Sequence, residues 1–168
     1  MDVNLAERVA RLEAIEEIKT LKHRYLRACD AKDPEAFRAC FVAEGAVLDY
    51  GERIGRFEGI DALVAVFERV ALNRIDGRYT VFDMHHAMHG DIEITGTGSG
   101  TGMARGRWTL RFRQVDTVAG TERVSAIEYD DGYTAADGAW RIARCQVKTL
   151  WTMSRPLAEG CQIAGELA

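Results

Sequence analysis

The second half of this chain alternates apolar and polar residues in four long stretches, about Tyr79–Thr95, Gly100–Val115, Glu122–Ala135 and Ala139–Met153, separated only by GTGSG, DTVAG and the tight AADGA turn. Alternation at period two marks strands with two unlike faces, and the Gly- and Asp-rich separators are turn chemistry. Strands joined by turns this short pair antiparallel with their neighbours. A four-strand meander is therefore the body of the fold, and the first half of the chain must cover its apolar face.

That first half reads as helices. From about Leu5 to Cys29, the residues Val9, Leu12, Ile15, Ile18, Leu21, Tyr25 and Leu26 recur at three- and four-residue steps and form one apolar stripe, while Glu13, Glu16, Glu17, Lys19 and Lys22 fill the other side. The helix should stop near Asp30, because Asp33-Pro34 opens a second helix with Asp33 as N-cap and Pro34 at the first position. Phe37 and Phe41 mark the buried side of that second helix. Ala46–Tyr50 predicts a short strand with Arg53–Phe57 as its hairpin partner across Gly51. Ile60 to about Leu72 predicts a third helix with Leu63, Val66, Phe67 and Val70 inward. Helices segregated from an antiparallel sheet make an α+β fold. A strongly curved sheet with these three helices on its concave side would be a cone enclosing a pocket. No repeat or linker interrupts the 168 residues, so one domain is expected over 1–168, with its core at about 8–153 and a C-terminal tail at 154–168.

Composition narrows the function classes. A chain that is 47% hydrophobic and 29% charged is globular rather than disordered. A net charge of −4 offers no footprint for nucleic acid or an anionic membrane. Arg105, Arg107, Arg111 and Arg113 fall on one strand face, which reads as a solvated or subunit-facing surface in preference to an RNA site. Cys29, Cys40, Cys145 and Cys161 form no CxxC pair, and thiols in a chain long enough to fold without staples fit a reducing cytoplasm. The N-terminal MDVNLAERVARLEAIEE is too charged for a signal peptide, and no apolar run approaches the ~20 residues that span a membrane. GTGSGTG precedes a strand rather than a helix, so it is no nucleotide fingerprint. Positions 85 and 89 of the HHxxH string would stand about 13 Å apart on a strand, too far to share an ion. Neither a metal nor an organic cofactor is expected. Trp140 and Ile142 alternate opposite Cys145 and Val147, so hydrophobes fall on both sheet faces and a homodimer or homotrimer is expected.

Three segments sharpen the picture: YLRACDAKDPEAFRACF, MHHAMHGDIEI and EYDDGYTAADGAWRIARC. With the order of elements they resemble the SnoaL-like branch of the nuclear-transport-factor-2-like superfamily, over about residues 10–153. The resemblance implies the same α+β cone. It implies less about activity, because cyclases, isomerases, dehydratases, a dehydrochlorinase and non-catalytic subunits share that fold.

Taken alone, Asp30 reads as a turn-forming residue that the helix macrodipole disfavours at this end, and a lone strand histidine such as His85 reads as structural. Resemblance to the scytalone dehydratase, bile-acid dehydratase and dehydrochlorinase branch implies instead that His85 is the catalytic histidine and Asp30 its partner. An imidazole takes and returns a proton near neutral pH, and a carboxylate beside it fixes its tautomer. His86 alternates to the opposite face, His89 returns to the face of His85, and His23 reads as a solvated or packing residue. Tyr50, in VLDYG, resembles the tyrosine that polarises the substrate carbonyl in the dehydratase, or else is an interface aromatic. Tyr25 and Tyr129 are either core or ligand-bonding residues. Phe82, Trp108, Leu110, Phe112 and Cys145 are the remaining expected pocket residues, with Trp151 beside them.

The chain also departs from its relatives. The dehydratase's second active-site histidine corresponds to Leu110, its tyrosine before the aspartate to Cys29, and the dehydrochlorinase's last-strand arginine to Cys145, with Arg144 one residue off. Neither specific activity therefore carries over. The resemblance still implies a cofactor-independent acid–base lyase of dehydratase type acting on a hydrophobic cyclic, polyketide or steroid-like substrate. A ketosteroid-isomerase- or polyketide-cyclase-like isomerase and a non-catalytic ligand-binding or partner subunit are the alternatives.

Overall fold

The computed structural model describes residues 4–98, 101–136, 138–165 and 167. The tips of the GTGSG and AADGA turns (Ser99, Gly100 and Asp137), the first three residues, and residues 166 and 168 of the tail lie outside the described residues.

Helix α1 runs Leu5–Ala31. It starts where the Asn4 side chain accepts the Glu7 amide at 3.0 Å, satisfying a donor that the helix itself leaves orphaned. It ends at Lys32, whose left-handed φ of 58° turns its amide back onto the Ala28 and Cys29 carbonyls. Asp30 therefore sits inside the last turn rather than after it. Only the second half of the apolar stripe is buried: Ile18, Leu21, Tyr25 and Leu26 are inside, whereas Val9 and Leu12 are 43% and 63% exposed because none of the described residues covers the first turns. Helix α2, Pro34–Ala39, begins as expected, with the Asp33 carboxylate accepting the Ala36 amide at 2.9 Å. Helix α3, Ile60–Ala71, buries Leu63, Val66 and Phe67, and Phe67 stacks on Phe37 with ring centres 4.6 Å apart.

The strands are β1 (Val47–Asp49), β2 (Arg56–Glu58), β3 (Arg74–Ile75), β4 (Arg78–Tyr79), β5 (Val81–Gly98), β6 (Thr101–Asp116), β7 (Thr121–Ala136) and β8 (Ala139–Pro156). β3 and β4 form a separate small hairpin. The four long strands pair antiparallel in sequence, and β1 joins β8 in parallel, giving the order β2-β1-β8-β7-β6-β5. The end strands do not meet, so the sheet is a curved open cone and not a closed barrel. Beyond Gln146, β8 has β7 as its only strand partner among the described residues. No described helix is long and apolar enough to cross a membrane.

Register shifts interrupt the ladders at Met88/Asp91, Ile94/Gly96, Ala126/Ile127 and Gly132/Tyr133. Each bulge adds a residue to one strand and re-aims the side chains beyond it. At the last one, Gly132 pairs with Arg144 but Tyr133 pairs with Ile142, so Ile142 and Cys145 face the same inner side and both are fully buried. Strict alternation put Ile142 on the outer face, and the bulge overturns that. Trp140 goes inward as well: a Cβ added at Gly102 would meet its ring at 2.8 Å. The outer face instead exposes Met84, Trp151 and Met153.

Candidate active site

The site is built where the end of α1 meets the start of β5. His85 stands opposite Phe112 of β6, and its ring packs 4.7 Å from that phenyl. Asp30 Oδ1 lies 2.5 Å from His85 Nδ1, and its other oxygen accepts the backbone N–H of His85 at 3.1 Å. A carboxylate can only accept, so the proton in the ring contact belongs to Nδ1, and Nε2 keeps the lone pair. The left-handed turn at Lys32 ends the helix just past the carboxylate, and strand alternation sets the imidazole on the inner face. The His85 side chain is only 12% exposed.

His85 borders a cup whose apolar wall includes Tyr25, Tyr50, Phe67, Trp108, Phe112 and Tyr129. The cup and a groove on the outer sheet face beside Arg107, Glu128 and Lys148 together enclose about 1380 Å³, which is an upper bound for the cup alone. Burial holds the Tyr25, Tyr50 and Tyr129 phenols above their ordinary pKa, because desolvation penalises the phenolate. All three remain O–H donors at neutral pH. Burial likewise pushes up the thiol of Cys29. Among the described residues, no three His, Cys, Asp or Glu side chains gather as ion ligands would.

The SnoaL-like domain family matches residues 10–146. The chain belongs to that family. No curated protein matches it significantly. Among solved structures, a protein assigned as a scytalone dehydratase from Novosphingobium aromaticivorans superposes with a TM-score of 0.73 at 20% identity, over 91% of this chain and 97% of that one. A hexachlorocyclohexane dehydrochlorinase from Novosphingobium barchaimii gives 0.75 at 16% identity, over 94% and 99%. ActVI-ORFA from Streptomyces coelicolor gives 0.65 at 14%, over 82% and 98%. Identities this low show the shared fold and nothing finer.

Within this SnoaL-like domain most of the expected site residues converge. Asp30, His85, Tyr50, Tyr25, Tyr129, Trp108 and Phe112 meet at or beside the cup. Four others do not line it. Phe82 has the opposite strand parity from His85 and lines a separate shallow cavity with Arg113, Glu122 and Arg155. Leu110 and Cys145 face inward but are 1% and 0% exposed, packed in the core rather than on the cup wall. Trp151 is 56% exposed on the outer face. His89 falls in the bulge after Met88 with a left-handed φ of 51° and borders the same cavity as His85. His86 pairs with Arg111 on the outer face, as parity requires.

The SnoaL-like domain also buries a lysine whose charge pointed to the solvent side of α1. Lys22 is fully buried, with Nζ 2.7 Å from Asp131 Oδ2 and 3.6 Å from the centre of the Tyr129 ring. Tyr133 donates to the same Asp131 oxygen at 2.8 Å and accepts from the Trp108 indole at 3.0 Å. Among the described residues, Asp131 Oδ1 is buried without a hydrogen-bond partner. A second polar group on the cup wall comprises Asp83, Gln114, Arg123, Ser125 and Thr152. Counting by twos from His85, Phe112 and Tyr129 reaches Asp83, Gln114, Ser125 and Arg123, so strand parity could have found them.

Proposed function

We propose that this chain is a cofactor-independent acid–base lyase of dehydratase type, acting on a hydrophobic cyclic substrate with a hydroxyl group β to a carbonyl. The observation that carries the reading is the Asp30–His85 contact beside an aromatic-walled cup. His85 Nε2 removes the proton α to the carbonyl. Asp30 keeps Nδ1 protonated and stabilises the imidazolium that forms. Tyr50 or Tyr129, held protonated by burial, donates to the enolate oxygen. The C–H electron pair then closes the new C=C bond as the C–O bond breaks, and the imidazolium returns its proton to the departing hydroxyl. The products are an enone and water, and His85 is neutral again.

The test is a panel of cyclic β-hydroxyketones followed by enone absorbance, with solvent deuterium exchange at the α-carbon measured in parallel. Enone formation that depends on His85 supports the lyase. Exchange without loss of water would replace it with an isomerase or cyclase. Neither signal on any cyclic ketone, with binding intact, would make the chain a binding subunit.

A further inference from the structure

The cup wall next to His85 carries a run of polar contacts that the acid–base step does not use. Strand register places Asp83, Gln114 and Arg123 side by side across β5, β6 and β7, one two-residue step along the strands from the row of His85, Phe112 and Ser125. Lys32, whose side chain is fully buried, places Nζ 3.0 Å from Asp83 Oδ2. Gln114 Nε2 donates to Asp83 Oδ1 at 2.8 Å. With the amide nitrogen committed there, Gln114 Oε1 must face Arg123, and Arg123 Nη2 donates to it.

The charge balance of this run decides what it can do. Lys32 offsets Asp83, whereas Arg123 is held only by a neutral amide oxygen. Among the described residues Arg123 forms no ion pair, while Arg105, Arg107 and Arg113 on the outer face each pair with a carboxylate. Asp116, the other acid on this stretch of wall, turns Oδ1 to the Val118 and Ala119 amides at 3.0 and 2.9 Å and, among the described residues, forms no ion pair with Arg123. An inward arginine fixed at one nitrogen, with its remaining N–H groups uncommitted, is a fork for an anion.

We propose that Arg123 is a specificity-determining residue that binds a carboxylate on the substrate. This rests on the lyase reading for where the substrate lies, and it narrows the class to ring systems bearing an acid group. Two strand spacings and one two-residue step separate the His85 and Arg123 backbones by about 12 Å. A fused ring lying on Phe112, with its carboxylate met by the extended guanidinium, spans that distance.

The experiment uses 2-naphthoate and its neutral counterpart 2-naphthamide as probes, with binding measured by calorimetry at pH 7 in low salt. The wild-type protein should bind naphthoate at least about tenfold more tightly, as a charge-assisted hydrogen bond requires. R123Q should erase that preference, with a far-UV circular dichroism spectrum matching the wild type to show that the variant is folded. Equal binding of both probes by the wild type, or a preference that survives R123Q, would overturn the assignment. Failure of both probes to bind would overturn the cup itself as a substrate site, and the carboxylate assignment with it. A preference lost in R123Q while H85A retains turnover would sink the acid–base reading and leave the carboxylate site standing.

Discussion

Asp30 grips His85 at two points, with one carboxylate oxygen on the ring Nδ1 at 2.5 Å and the other on the backbone amide at 3.1 Å. Ring orientation and strand position are thus set by one side chain from the far end of a helix. The two residues have different consequences when removed.

His85→Ala should lower turnover by about 10²–10⁴, the usual worth of general acid–base help, while far-UV circular dichroism is unchanged. Asp30→Asn should cost less, because it removes charge and tautomer control but not the proton carrier. Ligand affinity should survive in both, since the cup is walled mainly by aromatic area. Unchanged turnover in His85→Ala would place the chemistry elsewhere.

Lys22 and Asp131 are both fully buried, and their pairing spans 109 residues of sequence. Removing one charge strands the other in a dry interior, so Lys22→Met should cost about 3–5 kcal/mol in urea unfolding. The double change Lys22→Met with Asp131→Leu should recover most of that loss. A single variant within 1 kcal/mol of wild type (roughly the worth of an ordinary hydrogen bond) would mean that the pair is not insulated from water.

Burial pushes the Cys40 thiol up to about 11 from an ordinary value of 9.0. Above the ordinary value the unfolded chain gives up a proton that the folded chain keeps, so the stabilisation is complete below pH 9.0 and drains away toward about 11. Burial raises the Cys29 and Cys145 thiols too, which adds to the same alkaline slope. Melting temperature should therefore fall across this window, and Cys40→Ala should flatten the fall. A melting temperature that is constant across it would contradict the burial of these thiols in solution.

The row Met84, Arg113, Val124 and Met153, with Trp151 beside it, gives the outer face its apolar area. Light scattering at micromolar concentration should report a homodimer or homotrimer, and Trp151→Glu should shift it toward monomer. A monomeric wild type would overturn the expectation.

The meander was legible because its alternation is long and its separators are unambiguous turn residues. The Asp30–His85 pairing was legible only through family resemblance, since nothing local links a helix end to a strand 55 residues away. Phe82 was misplaced although parity with His85 already put it outside. The β3–β4 hairpin also had its signal in Asp76-Gly77, a two-residue turn between short strands. Trp140 and Ile142 were a different matter, because a bulge adds a residue without marking the sequence. Lys22 stands four residues from both Ile18 and Leu26, so helix spacing put it on the buried stripe; its charge argued for solvent, and its partner Asp131 sits out of sight on the third long strand. Arg123 lay within reach of simple counting, but a charged residue in a strand otherwise reads as solvent-facing.

The unpartnered flank of β8 beyond Gln146 has a consequence for how the protein behaves when crowded. A long exposed strand edge offers free amides and carbonyls to any extended chain and is the usual starting point of sheet-to-sheet aggregation. Along it the sequence places Lys148 and Arg155 and closes with Pro156, all exposed. Charge and proline are the residues that spoil a growing ladder, so this end of the strand is guarded by its own chemistry against becoming a template.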